Sequence, residues 1–147
     1  MAQPGPRSVH LHREGPGAYV ATTTTGATLR FGPGVEGGFS PVQLLLVAIA
    51  GCSALDLEAV TARRAEPLDF NVLSEALVID DGGSRLDDLK VTFDVTFPEG
   101  EEGDKARERI EPTLRASHDR TCTVGRTVQA GPDITLVTGP VGAPATA

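Results

Sequence analysis

Two cysteines, Cys52 and Cys122, are the residues of this chain with the widest chemical repertoire. A thiolate can attack an electrophile, pair with a second thiol in a disulfide, or ligate a metal. The thiols stand 70 positions apart, so they form no Cys-x-x-Cys motif. His10, His12 and His118 show no metal-ligand spacing with them, and His10 and His12 alternate along a strand in a way that turns them to solvent. Redox chemistry and inert buried thiols are the readings left open.

Cys52 lies in Ala50-Gly51-Cys52-Ser53-Ala54, about three turns into an apolar helix. There a cysteine serves as a small hydrophobe, although Gly51 allows something to approach the backbone closely. Cys122 follows Thr121, which reads as a helix N-cap and would put the thiol in a first turn, where unpaired N–H groups stabilise a thiolate. Arg120 and Arg126 are near in sequence, and the competing reading is a partly buried cysteine beside solvated arginines.

The elements that must position these thiols follow from pattern. Residues 8–31 read as strands, with Val9 and Leu11 alternating against polar neighbours, a turn at Gly15-Pro16-Gly17 and a second turn or bulge at Gly26. After the glycine-rich loop 32–39, Ser40, Pro41 and Gln43 spell an N-cap, a first-turn proline and a capping box. The helix they open is apolar on every side from Leu44 to Leu55, which predicts burial all round; Pro67 stops it. Strands are expected over 70–79 and 89–97, joined at Asp80-Asp81-Gly82-Gly83. A charged helix over 104–118 is expected to bend or restart at Pro112. A short helix near Thr121 and a last strand over 134–137 complete the order. Strands and helices without regular βαβ alternation indicate an α+β fold. An all-apolar helix in so short a chain also predicts a symmetric homodimer to cover it.

Composition narrows the function. The chain of 147 residues fits one domain (1–147), with an ordered core over about 8–138 and frayed ends at 1–6 and 139–147. A net charge of −7 without a local Lys/Arg cluster argues against nucleic acid and anionic membranes. No Trp and a single Tyr leave no stacking platform for single strands. The N-terminus lacks the apolar stretch of a secretory signal, and the run from Val42 to Leu55, interrupted by Gln43, is too short to span a bilayer. A cytoplasmic location is expected.

Two segments resemble the signatures of the OsmC/Ohr family. The run from Gly37-Gly38-Phe39-Ser40-Pro41 through the leucine-rich helix to Ala50-Gly51-Cys52-Ser53-Ala54-Leu55-Asp56-Leu57 is similar to its glycine-rich loop, Ser-Pro and helix cysteine. The run from Ser117-His118 to Cys122-Thr123-Val124 is similar to its second cysteine motif. The resemblance covers residues 8–137, and the Ala-Gly-Cys and Leu-Asp-Leu flanks look like the OsmC-like branch. It implies an intertwined α+β homodimer, with the long helices central and two active sites at the interface.

The resemblance also implies a thiol peroxidase. Cys52 would attack an organic hydroperoxide and become a sulfenic acid, Cys122 would condense with it, and an external dithiol reductant would reset the pair, with no cofactor. An arginine would hold the Cys52 thiolate, and Arg13 takes that position ahead of Arg30. One departure is Val42, where the family's peroxidases carry Glu directly after the proline; another is Thr123, where they carry Pro. A dimeric protein holding a small apolar ligand is the alternative. A thiol-dependent transferase or hydrolase would need His118 as its acid–base partner.

Overall fold

The computed structural model describes residues 4–142. Strands flank one long helix, as expected of an α+β protein. The frayed ends expected from composition lie partly outside the described residues, at 1–3 and 143–147. The chain divides into two compact units, one built mainly on residues 2–45 and the other on 46–132.

The first unit contains an antiparallel sheet of β1 (Val9–Gly15), β2 (Ala18–Thr23) and β3 (Thr28–Phe31), in that order. Arg13 stands opposite Tyr19, and Val20 opposite Arg30. The turns fall where glycine allows them. Gly26, at φ 90°, closes the β2–β3 turn by donating to the Thr23 carbonyl. Gly32, at φ 109°, sits so tightly on the Gly17 carbonyl that a Cβ would lie 2.2 Å from its oxygen. Tyr19 and Phe31 stack with ring centroids 6.0 Å apart.

Helix α1 (Pro41–Thr61) opens with the capping box that Ser40 and Gln43 announce. The Ser40 amide donates to Gln43 Oε1 at 2.8 Å, and the Gln43 amide donates to Ser40 Oγ at 3.2 Å. Burial all round is not what this chain provides, however. Ile49, Leu57 and Thr61 are the buried positions of α1, while Val47 and Leu55 are exposed at 52% and 67%. An evenly apolar helix needs cover on every face, and one short chain does not supply it. The helix also runs past the apolar stretch, through Asp56 and Glu58, to 21 residues, and an 18-residue window of it has a mean hydropathy of 1.8. By length and composition it could cross a membrane, which corrects the expectation drawn from the Val42–Leu55 run alone. The core helix of a soluble protein passes the same test.

The second unit holds a long hairpin, β4 (Asp69–Asp80) and β5 (Ser84–Thr96). Asp80 Oδ1 accepts from the Gly82 and Gly83 amides and shapes the turn between them. Strand β5 starts five residues before the alternation does, because a bulge intervenes where Glu75 faces Lys90 and Leu77 faces Asp87. Asp88, at φ 50°, sits in that bulge. Beyond it the period holds, with Val91, Phe93 and Val95 turned inward and Lys90, Thr92 and Asp94 outward.

The charged helix is two helices, α2 (Glu101–Arg107) and α3 (Ile110–Ala116). The break falls before Pro112 rather than at it, which puts the proline in the first turn of α3, where a missing N–H costs no helical bond. Gly103 is required in α2, since a Cβ there would lie 1.8 Å from the Pro98 carbonyl oxygen. A π-helical turn (Ser117–Thr121) leads from α3 to α4 (Thr123–Ala130). The strand expected over 134–137 does not form. Ile134, Leu136 and Val137 are at least 86% exposed, and no described strand offers them a ladder. An apolar run becomes a strand only where a sheet edge receives it.

Candidate active site

Cys52, Ser53 and Asp56 come from one stretch of α1, with Cys52 and Asp56 one turn apart on the same side. Asp56 Oδ2 accepts from Ser117 Oγ at 2.8 Å and from Thr121 Oγ1 at 2.7 Å. These hydroxyls are the first and last residues of the π-helical turn, whose wider ring is closed by the Cys122 amide donating to the Ser117 carbonyl at 3.0 Å. One carboxylate oxygen therefore ties both ends of the turn to α1. Thr121 is thus not the N-cap of α4; its hydroxyl is spent on Asp56. Cys122 takes the cap instead, its sulfur accepting from the Gly125 amide at 3.2 Å.

The clamp should matter for stability. Asp56→Ala would leave the buried Ser117 hydroxyl without its acceptor and is expected to cost about 2 kcal/mol, the scale of a hydrogen bond to a charged group. Urea unfolding monitored by circular dichroism checks this. A midpoint unchanged from the parent protein would show that the clamp contributes nothing.

Cys122 comes up against the turn of α1 that carries Cys52: Ser53 Oγ, from the residue next to Cys52, donates to Cys122 Sγ at 3.6 Å. Both cysteines are free, with Cys122 almost wholly buried and Cys52 half-buried. Burial pushes both thiols toward their neutral forms, but the site splits them. For Cys122, hydrogen bonds from Cys52, Gly125 and Ser53 outweigh burial and bring the thiol below its ordinary value, against the opposing charge of Asp56. For Cys52, burial dominates and the thiol is raised, although the Val124 amide acts the other way. The arginines near Cys122 in sequence have no part in this: Arg120 and Arg126 are exposed, and hydrogen bonds supply the stabilisation.

A cavity of about 310 Å³ opens beside Cys122. Ile49, Leu89, Val91, Phe93, Leu114 and Val128 make its wall apolar, and Ser53, His118 and Gln129 add the polar groups. His118 lines this cavity, and its Nδ1 is 2.8 Å from Asp119 Oδ1. His10 and His12 are exposed on β1, and the described residues hold no cluster of three metal-ligating side chains. Arg13 is exposed on β1 in the first unit and makes no ion pair among the described residues, whereas Arg30 pairs with Glu14 at 2.8 Å. Ser53, Ser117 and Gly125 belong to the site and have no sequence signal beyond their nearness to the two cysteines.

This is an α+β chain in which a cysteine of the long helix and a second cysteine at the cap of a short helix belong to one site. The profile of OsmC-like proteins matches residues 33–137, and the chain belongs to that family. Uncharacterised proteins of Mycobacterium tuberculosis and Mycobacterium bovis are 29% identical to it over 134 residues, spanning 90% of this chain and 96% of theirs. A hypothetical protein from Aquifex aeolicus shares the fold with a TM-score of 0.68 at 20% identity, over 86% of this chain and 89% of its own. An OsmC-like protein of unknown function from Vibrio cholerae does so with a TM-score of 0.68 at 13% identity, over 86% and 95%.

Proposed function

We propose that this protein is a thiol-dependent peroxidase that reduces organic hydroperoxides in oxidative stress defence, with Cys52 as the attacking thiol and Cys122 as the resolving one. The observation that supports this reading is the hydrogen bond from Ser53, the neighbour of Cys52 on α1, to Cys122 Sγ at 3.6 Å, because a disulfide needs its two cysteines brought close. Cys52 sulfur takes the distal oxygen of the hydroperoxide, the O–O bond breaks, and the alkoxide leaves as the alcohol. Cys122 sulfur then displaces hydroxide from the sulfenic acid and forms the disulfide. A dithiol reductant returns both thiols to the start. No cofactor is needed.

The working unit is a homodimer. The uncovered apolar side chains of α1, Val47 and Leu55 among them, support a second copy rather than a bilayer as their cover, and the net charge of −7 is unsuited to anionic lipid and to nucleic acid. The cytoplasm is the fitting compartment for a chain whose two cysteines are free thiols. Arg13 is the cation assigned to Cys52 by family resemblance.

The test is hydroperoxide consumption by the reduced protein. One equivalent of cumene hydroperoxide should disappear per subunit, with a Cys52–Cys122 disulfide seen by peptide mass spectrometry. Surviving hydroperoxide and two intact thiols would refute the proposal. A second reading, a dimeric protein that holds a small apolar ligand without turnover, is favoured by the apolar cavity and by Val42 in place of an acid. Co-purified ligand whose binding is unchanged in Cys52→Ser would establish it.

A further inference from the structure

We propose that Asp56 is a positioning residue of the site: by holding both ends of the π-helical turn, its carboxylate fixes Cys122 where a disulfide with Cys52 can close. This rests on the pairing of the two cysteines in the peroxidase reading and deepens it, but it does not depend on which oxidant they meet.

The turn ahead of Cys122 is what needs a clamp. Its ring is closed over five positions, by the Cys122 amide donating to the Ser117 carbonyl at 3.0 Å, where an α-helix would bond over four. One extra residue in the turn moves Cys122 by about 100° around the axis relative to a continued α-helix. Relaxation to α-helical bonding would therefore carry the Cys122 sulfur away from Ser53.

Asp56 opposes that relaxation from outside the turn. Among the described residues, three side-chain hydrogen bonds join residues 117–122 to α1. They run from Ser117 Oγ to Asp56 Oδ2 at 2.8 Å, from Thr121 Oγ1 to the same oxygen at 2.7 Å, and from Ser53 Oγ to Cys122 Sγ at 3.6 Å. The third is long and ends on sulfur, a weak acceptor, so the first two hold the position. Because one oxygen takes both hydroxyls, the ends of the turn are fixed to each other as well as to α1. Ser117 is buried, so water does not replace its bond. Asp56 also stands one turn beyond Cys52 on the same side of α1. One rigid helix thus carries both Cys52 and the group that sets its partner.

Charge gives no reason for an acid at this place. A carboxylate beside two thiols disfavours the thiolate of each. What the site uses is an acceptor with room for two donors.

The step that depends on this is resolution. The Cys122 sulfur displaces the oxygen of the Cys52 sulfenic acid; the S–S bond forms as the S–O bond breaks, and the departing hydroxide takes the Cys122 proton and leaves as water. With oxidised dithiothreitol as the oxidant, two electrons and two protons pass from the cysteine pair to the reagent.

Equilibration of the purified protein in dithiothreitol redox buffers, read by mass-tagged alkylation of the remaining thiols, tests the proposal without a peroxide. Asp56→Ala should shift the pair toward the dithiol by about 10²-fold, the scale on which a misplacement of about 1 Å acts, or about 60 mV for a two-electron couple. Ser117→Ala and Thr121→Val each remove one tie and should shift it by about tenfold. Asp56→Asn, whose amide oxygen still accepts both hydroxyls, should stay within about threefold of the parent protein. If Asp56 serves stability alone, unfolding midpoints fall while the redox equilibrium of every variant is unchanged, and the proposal is overturned. A shift in Asp56→Asn as large as in Asp56→Ala also overturns it, because charge rather than the acceptor would then be acting. Should Asp56→Ala fail to fold, the two hydroxyl variants and Asp56→Asn decide the matter. A parent protein that forms the disulfide in these buffers but spares cumene hydroperoxide sinks the peroxidase reading alone; one that forms no disulfide sinks both.

Discussion

Cys52→Ser is expected to lose hydroperoxide turnover by on the order of 10³-fold or more, as enzymes do when a covalent nucleophile is removed. The hydroxyl that replaces the thiol ionises far outside the neutral range and cannot accept oxygen to form a sulfenic acid. Cys122 remains, with its amide and Ser53 donors, but no second thiol is left within the subunit to complete a disulfide. Coupled turnover assays with a dithiol reductant measure the effect. Residual turnover within tenfold of the parent protein would move the peroxide chemistry off Cys52.

Leu57→Ala is expected to destabilise the protein by about 3 kcal/mol, within the range for large-to-small changes in a packed core. Leu57 is 0% exposed, one of very few side chains of α1 with complete cover, and it follows Asp56 directly. Its loss would open a cavity where the helix carrying Cys52 is anchored, so stability and thiol geometry should suffer together. Chemical unfolding checks the magnitude, with Glu58→Ala as a comparison. Glu58 is exposed on the next position of the same helix, and its removal should change stability by no more than about 0.5 kcal/mol. Equal effects for the two variants would mean that Leu57 anchors nothing.

The site is half legible in the residues. Ser40 and Gln43 announce the start of α1 because a capping box is a contact over three positions, and those contacts form as written. The alternation from Val91 to Val95 places the inward face of β5 correctly, while the bulge at Asp88 hides the first five residues of that strand. Thr121 shows the limit of local signals. As a cap it satisfies every sequence rule, yet its hydroxyl is bound to Asp56, 65 positions away, and Cys122 becomes the cap. Pro112 likewise marks a helix boundary, but the break falls ahead of it because a proline is tolerated in a first turn.

The two cysteines and the motifs around them were enough, as sequence, to point to the OsmC-like family, its α+β order of elements and a question about thiol chemistry. Those features are local or sequential, and the chain carries them regardless of how it packs. That Cys122 comes up against the turn carrying Cys52, that its sulfur receives the Ser53 and Gly125 donors, and that Asp56 ties Ser117 and Thr121 to α1 were decided by tertiary structure alone. So was the cover of α1, since a helix apolar on every face names no preferred side. Contacts across some 70 residues depend on how one helix meets one turn, and no spacing rule encodes that meeting.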